Sequence, residues 1–176
     1  MKKNIFLAFL FLSLPAFAAS FAYVDTEAVL QASKEFKECE QKALSKRDIY
    51  TDEITQRSKK LEKLQEQIAA LSAEKSVALR NQYAEEFDRI ERYRDQAAEE
   101  ITAQHSHDMQ RIATKIRTIL ENLGERDKVT LMFDLKAVLY LDPKVVRDYT
   151  KEVTDELNRQ YDEEVNKLRS KLPLNK

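Results

Sequence analysis

Glycine occurs once in this 176-residue chain, cysteine once, proline three times and tryptophan not at all. Each scarcity removes a class of structure. One glycine excludes a glycine-rich phosphate loop, which needs several backbone positions free to approach a phosphate closely. One cysteine, Cys39, excludes a disulfide framework and a zinc site built on paired thiolates. Lying among charged residues, Cys39 reads as a free, incidental thiol; the alternative, in an oxidising compartment, is an intermolecular bridge. Between Pro15 and Gly124 the chain contains neither helix breaker, so that whole stretch carries none of the usual marks of a loop.

What fills the stretch is helix-forming. Asp25 to Leu123 is rich in Glu, Lys, Gln, Ala, Leu and Arg, the residues that lose least on entering a helix. Charged residues make up 35% of the chain with the signs closely mixed. That much charge would also suit disorder, but a sustained apolar stripe argues for helix. Ile54, Leu61, Leu64, Ile68 and Leu71 form one seam at coiled-coil spacing, flanked by Lys59, Lys60, Glu62, Lys63 and Glu66. A second runs through Tyr83, Phe87, Ile90, Ala97, Ile101, Met109, Ile112, Ile116, Ile119 and Leu123. Each seam needs a partner helix, and the nearest is the other half of the same run.

The chain is therefore expected to fold back as an antiparallel hairpin over residues 26–123. Its turn is expected at Ser72-Ala73-Glu74-Lys75-Ser76, where the seam loses its apolar residues and serine can cap a new helix. Equal arms returning to one body put the fold at the same place, with each arm roughly 70 Å long. The alternative is one unbroken rod of about 150 Å, since no glycine or proline forces a break.

The ends differ from the middle. Residues 1–18 read as a signal peptide: Lys2 and Lys3, an apolar run from Ile5 to Leu14, then Ala16-Phe17-Ala18, with cleavage expected after Ala18. That run is shorter than the ~20 residues of a membrane span, which disfavours the alternative of an uncleaved anchor. Export removes two lysines, leaving 28 basic against 31 acidic residues, a net charge of −3 in place of −1. No basic field points to nucleic acid. The expected location is the space outside the cytoplasm.

Phe21 to Asp25 carries a strand signal, followed by Thr26 as a helix cap with Glu27 in the first turn. Gly124, directly after Leu123, is placed to close the second arm as a left-handed residue. Val129 to Asp134 and Ala137 to Leu141 read as two further strands. Asp142-Pro143 then reads as cap and first-turn proline of a last helix through Val146, Tyr149, Val153, Leu157, Tyr161, Val165 and Leu168. The expected fold is mainly α with a small β body. Residues 19–25 and 124–172 make that body, and residues 26–123 make the arm. Strands this short cannot build a core alone, so an obligate oligomer is expected.

No catalytic, cofactor-binding or metal-binding residues are assigned. His105 and His107 lie two apart on a helix and point in different directions. They read as one seam histidine and one exposed histidine. Adjacent acids such as Glu85-Glu86, Glu99-Glu100 and Asp162-Glu163-Glu164 read as solvated faces. The chain is read as a non-enzyme.

Several segments, in order, carry a family resemblance. Phe21-Ala22-Tyr23-Val24-Asp25 directly follows a signal peptide and precedes the long charged helical run. Then come Val129-Thr130-Leu131-Met132-Phe133-Asp134, Ala137-Val138-Leu139-Tyr140 and Asp148-Tyr149-Thr150-Lys151-Glu152-Val153. This arrangement resembles the Skp/OmpH family of periplasmic chaperones. The resemblance implies a homotrimer whose helical arms hang from a common body around a cavity. It implies that unfolded outer-membrane proteins are held there without ATP. Positive tips in that family suit lipopolysaccharide or phospholipid headgroups. Here residues 56–94 carry nine basic against seven acidic residues, and no residue is assigned to such a contact. Arm opening is expected from bending at Arg57, Arg94 and Ala97–Ala98, where the seam thins. The alternative reading is a coiled-coil spacer or adaptor of the envelope that binds one folded partner.

Overall fold

The computed structural model describes residues 20–171; the expected signal segment, 1–18, lies outside them. The order of elements is β1 (Phe21–Val24), α1 (Thr26–Ala32), α2 (Lys34–Ala69), α3 (Val77–Asp127), β2 (Leu131–Asp134), a 3-10 turn (Leu135–Ala137), β3 (Arg147–Asp148) and α4 (Thr150–Lys171). The fold is mainly helical, with a long antiparallel helix pair standing on a small sheet.

The sheet has the order β2-β1-β3, and both pairings are parallel. Parallel neighbours require a long crossover between them. Here the crossover from β1 to β2 is the whole hairpin. Returning to the start of β1 takes extra helix. At 51 residues, α3 outruns the 36 of α2 and the 7 of α1 combined. The surplus, about 12 Å, matches a four-residue strand of about 13 Å. Ser20 receives the returning chain, its carbonyl accepting from the Thr130 amide at 2.8 Å.

This geometry explains why Gly124 does not end α3. The helix continues to Asp127, and Lys128 takes the left-handed cap at φ 55°. The Val129 amide then closes onto the Gly124 carbonyl at 2.9 Å. A stop at Gly124 would leave Thr130 short of Ser20.

Other local readings change too. Asp25, rather than Thr26, caps α1, accepting from the Ala28 amide. Thr26 instead donates its hydroxyl to the Asp134 carboxylate on β2. Segment 137–141 forms no strand in this chain. Asp134 accepts from the Lys136 amide and winds Leu135–Ala137 into a turn. Asp142-Pro143 does not start α4. Asp142 accepts from the Lys144 and Val145 amides and closes a turn of its own. The third strand is instead Arg147–Asp148, and α4 begins at Thr150, whose amide is held by the Asp148 carboxylate at 2.8 Å.

The core sits between the sheet, α1, the last turns of α3 and the first half of α4. It joins Ala22, Val24, Val29, Ile112, Ile116, Ile119, Leu123, Tyr149, Val153 and Leu157. Each large aliphatic side chain buried there contributes about 1.5–3 kcal/mol. The arm lies beyond. Its turn occupies residues 70–76 between Ala69 and Val77. Ser76 is buried there, but its hydroxyl donates to the Ala73 carbonyl and does not cap α3.

Candidate functional site

Three surfaces follow from this architecture: the root of the arm, its shaft, and an apolar face on the body.

At the root, α2 starts at a break. Ser33 takes an extended conformation (φ −70°, ψ 127°) between α1 and α2, and its hydroxyl caps Phe36. The long helix expected from Thr26 onward is thus two helices. The residue that splits it is a good N-cap hidden in a helix-favouring context. Glu35 sits in the first turn of α2, where the positive helix end favours an acid. Only 4% exposed, it accepts from Arg111 Nε at 2.9 Å and from Lys115 Nζ at 3.0 Å. Arg111 also binds Asp108 at 2.6 Å, and Lys115 binds Glu164 on α4 at 2.7 Å.

Burial pushes the Asp108 carboxyl up, but the Gln104 amide and the Arg111 guanidinium outweigh it, so the group lies below its usual range. Cys39 is buried beside this cluster, and burial, reinforced by Asp108, raises its thiol. Cys39 is a free thiol, as its charged sequence neighbours suggest, but it packs into the core, which those neighbours hide.

Along the shaft, α2 and α3 are joined by a short polar and aromatic ladder. Glu100 accepts from Lys46 Nζ at 2.5 Å and from the Tyr50 hydroxyl. The Tyr50 and Tyr93 rings meet edge to face at 5.5 Å. Arg57 lies over the Tyr93 ring at 4.8 Å. The expected weak point at Arg57 is therefore a filled position, and Ala97 is buried. Farther out, Ile54, Leu61, Leu64 and Ile68 are only half-buried, while Leu71, Val77 and Phe87 are exposed. Two helices alone cannot enclose both seams.

The histidines separate as their spacing requires. His105 meets Glu40 across the arm at 2.9 Å, while His107 faces solvent. Among the described residues, no group of three or more His, Cys, Asp or Glu is placed to hold a metal ion. Nor is any helix among them long and apolar enough to cross a membrane.

The body carries an apolar groove of about 740 Å3, walled by Leu30, Met109, Ile116, Leu120, Val129 and Met132. Residues 138–145, which follow the groove-lining β2 and the turn after it, have no strand partner among the described residues. Leu139 is fully exposed, Tyr140 is 85% exposed and Val145 73% exposed. Apolar side chains grouped this way differ from scattered surface residues and mark an interaction surface. Elsewhere on the body, Arg126 and Arg147 bind Asp127 and Glu152 in a closed charged ring. The buried Tyr149 ring lies 4.4 Å beneath the Arg147 guanidinium, and its hydroxyl donates to Asp127 at 2.5 Å.

These features define a class: a long two-helix arm on a small parallel-sheet body, with broad surfaces in place of a compact pocket. The chain belongs to the OmpH-like outer membrane protein family, whose model matches residues 20–157. It is similar to an uncharacterized protein of Aquifex aeolicus (strain VF5), at 26% identity over 146 residues, spanning 82% of this chain and 89% of the relative. A crystal structure from Caulobacter crescentus CB15, described as a candidate OmpH-like outer membrane chaperone, superposes with a TM-score of 0.72. That match covers 81% of this chain and 86% of the other at 14% identity, and at that identity it speaks to the fold.

Proposed function

We propose that this protein is an ATP-independent holdase chaperone of the periplasm. It works as a homotrimer and binds unfolded outer-membrane proteins between its arms. The observation that carries the reading is the arm itself. Both its ends are tied into one small sheet, and its outer half leaves two apolar seams half-covered within a dense mixed charge. Such a surface offers many weak contacts, which suits promiscuous and releasable binding. Unfolded β-barrel precursors expose apolar strands and unpaired edges, and enclosure keeps those edges from pairing with one another.

The body supports assembly. Among the described residues one edge of β2 is free in the order β2-β1-β3, and Leu139, Tyr140 and Val145 of the segment that follows are exposed. Supplying that segment to a neighbouring copy would pair the free edge and cover the groove, the usual remedy for an exposed strand. A spacer binding one folded partner has no need to return both ends of its rod to one sheet.

The test dilutes a urea-unfolded porin into buffer with and without the mature protein, residues 19–176, and follows light scattering. Suppression of aggregation at one trimer per client is expected without nucleotide. Unchanged scattering at that ratio overturns the holdase reading. Sedimentation at micromolar concentration tests assembly separately, since a folded monomer contradicts it.

A further inference from the structure

The family match ends at Leu157, but α4 continues without a break to Lys171. That continuation runs toward the root of the arm. Asn158, its first residue, sits astride the break at Ser33. The Asn158 Oδ1 accepts from the Lys34 amide at 2.8 Å, and its Nδ2 donates to the Ala32 carbonyl at 3.3 Å. One side chain therefore satisfies the first free amide of α2 and a terminal carbonyl of α1, groups that a helix break otherwise leaves unpaired. One turn later, Asp162 binds Lys34 Nζ at 2.6 Å. Glu164 then holds Lys115 of α3 at 2.7 Å, and Lys115 is the same cation that reaches the buried Glu35. Beyond these, Tyr161, Val165 and Leu168 flank a cleft of about 300 Å3 against Cys39 and Lys42 of α2.

We propose that residues 158–171 of α4 form a brace that seals the break at Ser33 and fixes the angle at which the arm leaves the body. The successive contacts fall on α1, on both helices of the arm root and on the break itself. A helix that served only to cover the core could end at Leu157, its last buried residue. Because α2 is not continuous with α1, its direction is set by what holds the two sides of Ser33. Asn158 supplies that hold in one residue. The brace belongs to the chain with or without a client.

Hydrogen exchange on the mature protein tests this with Asn158→Ala. Amides of Lys34–Ala43 are expected to exchange about tenfold faster, while those of Val77–Ile90 near the tip keep their rates. Distances between spin labels at Ser72 and Lys144, introduced as cysteines with Cys39→Ser and diluted into unlabelled chains, are expected to broaden. Unchanged root exchange, or an equal rise over the whole chain, overturns the brace. If Asn158→Ala does not fold, the exposed pair decides. Asp162→Lys is expected to loosen the root, and adding Lys34→Asp to restore it. A swap that fails to restore protection overturns the proposal.

Discussion

Replacing Glu35 by glutamine asks how much of the arm's anchorage rests on one buried carboxylate. Glu35 is 4% exposed and accepts two charge-assisted hydrogen bonds, from Arg111 and Lys115. Each such bond contributes about 1.5–3 kcal/mol. Glutamine keeps one acceptor oxygen but turns an amide donor toward a cation. Breaking a fully buried pair costs about 3–5 kcal/mol because a charge is left stranded. Here neither cation is stranded: Arg111 keeps Asp108 at 2.6 Å, and Lys115 keeps Glu164 at 2.7 Å. Arg111 is also 41% exposed, so water screens part of the loss.

The expected loss for Glu35→Gln is therefore about 2–3 kcal/mol, and Tm falls by about 5–10 °C for a chain of this size. The assay is urea unfolding followed by far-ultraviolet circular dichroism, at one fixed protomer concentration because assembly shifts the midpoint. The midpoint is expected to fall with the slope unchanged. A loss below about 0.5 kcal/mol would place Glu35 with ordinary surface ion pairs and refute the anchoring role. Pairing Glu35→Gln with Lys115→Gln is expected to give a coupling of about 1 kcal/mol or more.

The remaining expectations touch different elements. Gly124 is helical and nothing lies within 4 Å of an added Cβ, so Gly124→Ala is expected to stabilise by about 0.5–1 kcal/mol in the same unfolding assay. Lys128 holds φ 55°, and Lys128→Gly is expected to stabilise by about 1 kcal/mol as left-handed strain is relieved. Tyr93→Ala removes the edge-to-face contact with Tyr50 and the ring beneath Arg57, worth about 1–2 kcal/mol together. Amides of Tyr50–Arg57 should then exchange faster while those of the body do not; uniform acceleration would contradict a locally stabilised shaft. The Arg126 guanidinium, with the Tyr149 hydroxyl, holds Asp127 well below its usual range, and Arg147, with Arg126, lowers Glu152. Depressed carboxyl pKa values stabilise the fold above the unfolded-state values near pH 4, and that stability is lost as the pH falls through the folded values. Thermal melts are expected to be flat between pH 5 and 8 from these groups and to drop below about pH 4.

Long-range periodicity carried the arm. Of the seam from Tyr83 to Leu123, Ile90, Ala97, Ile112, Ile116, Ile119 and Leu123 are buried, Tyr83, Ile101 and Met109 half-buried and Phe87 exposed, because a heptad pattern fixes which face must find a partner but not how much of it one partner covers. Positions that depend on where the chain must arrive were not legible. Gly124 is a good stop by local chemistry, yet pairing β2 parallel to β1 requires one more turn of helix. Ser33 breaks the first helix although every neighbour favours helix, because Asn158, far away in sequence, completes the break. The Glu35 cluster gave no signal at all. Its members come from three helices, and each looks like one more charge on a solvated face. Segment 137–141 has strand composition but no partner strand among the described residues; Ala137 closes a 3-10 turn and Leu139 lies in a bend, so only the apolar character of the pattern survives.

The two helices of the arm are not mechanically equivalent. The chain crosses from body to shaft once through α3, which is continuous from Val77 to Asp127. It crosses once through α1 and α2, which are broken at Ser33. A sideways load at the tip compresses one helix and stretches the other. The continuous α3 delivers it directly to the Val129–Asp134 strand connection and so to β1. The broken path gives at Ser33 unless something spans the gap. Asn158 spans it from outside the arm, and Glu164 ties the far side to α4 through Lys115, which holds Glu35 of α2. The stiffness of the shaft is thus local, from the Tyr50, Tyr93 and Arg57 stack, while its direction is set in the body. Changes at Tyr93 should alter how straight the arm is, and changes at Asn158 where it points.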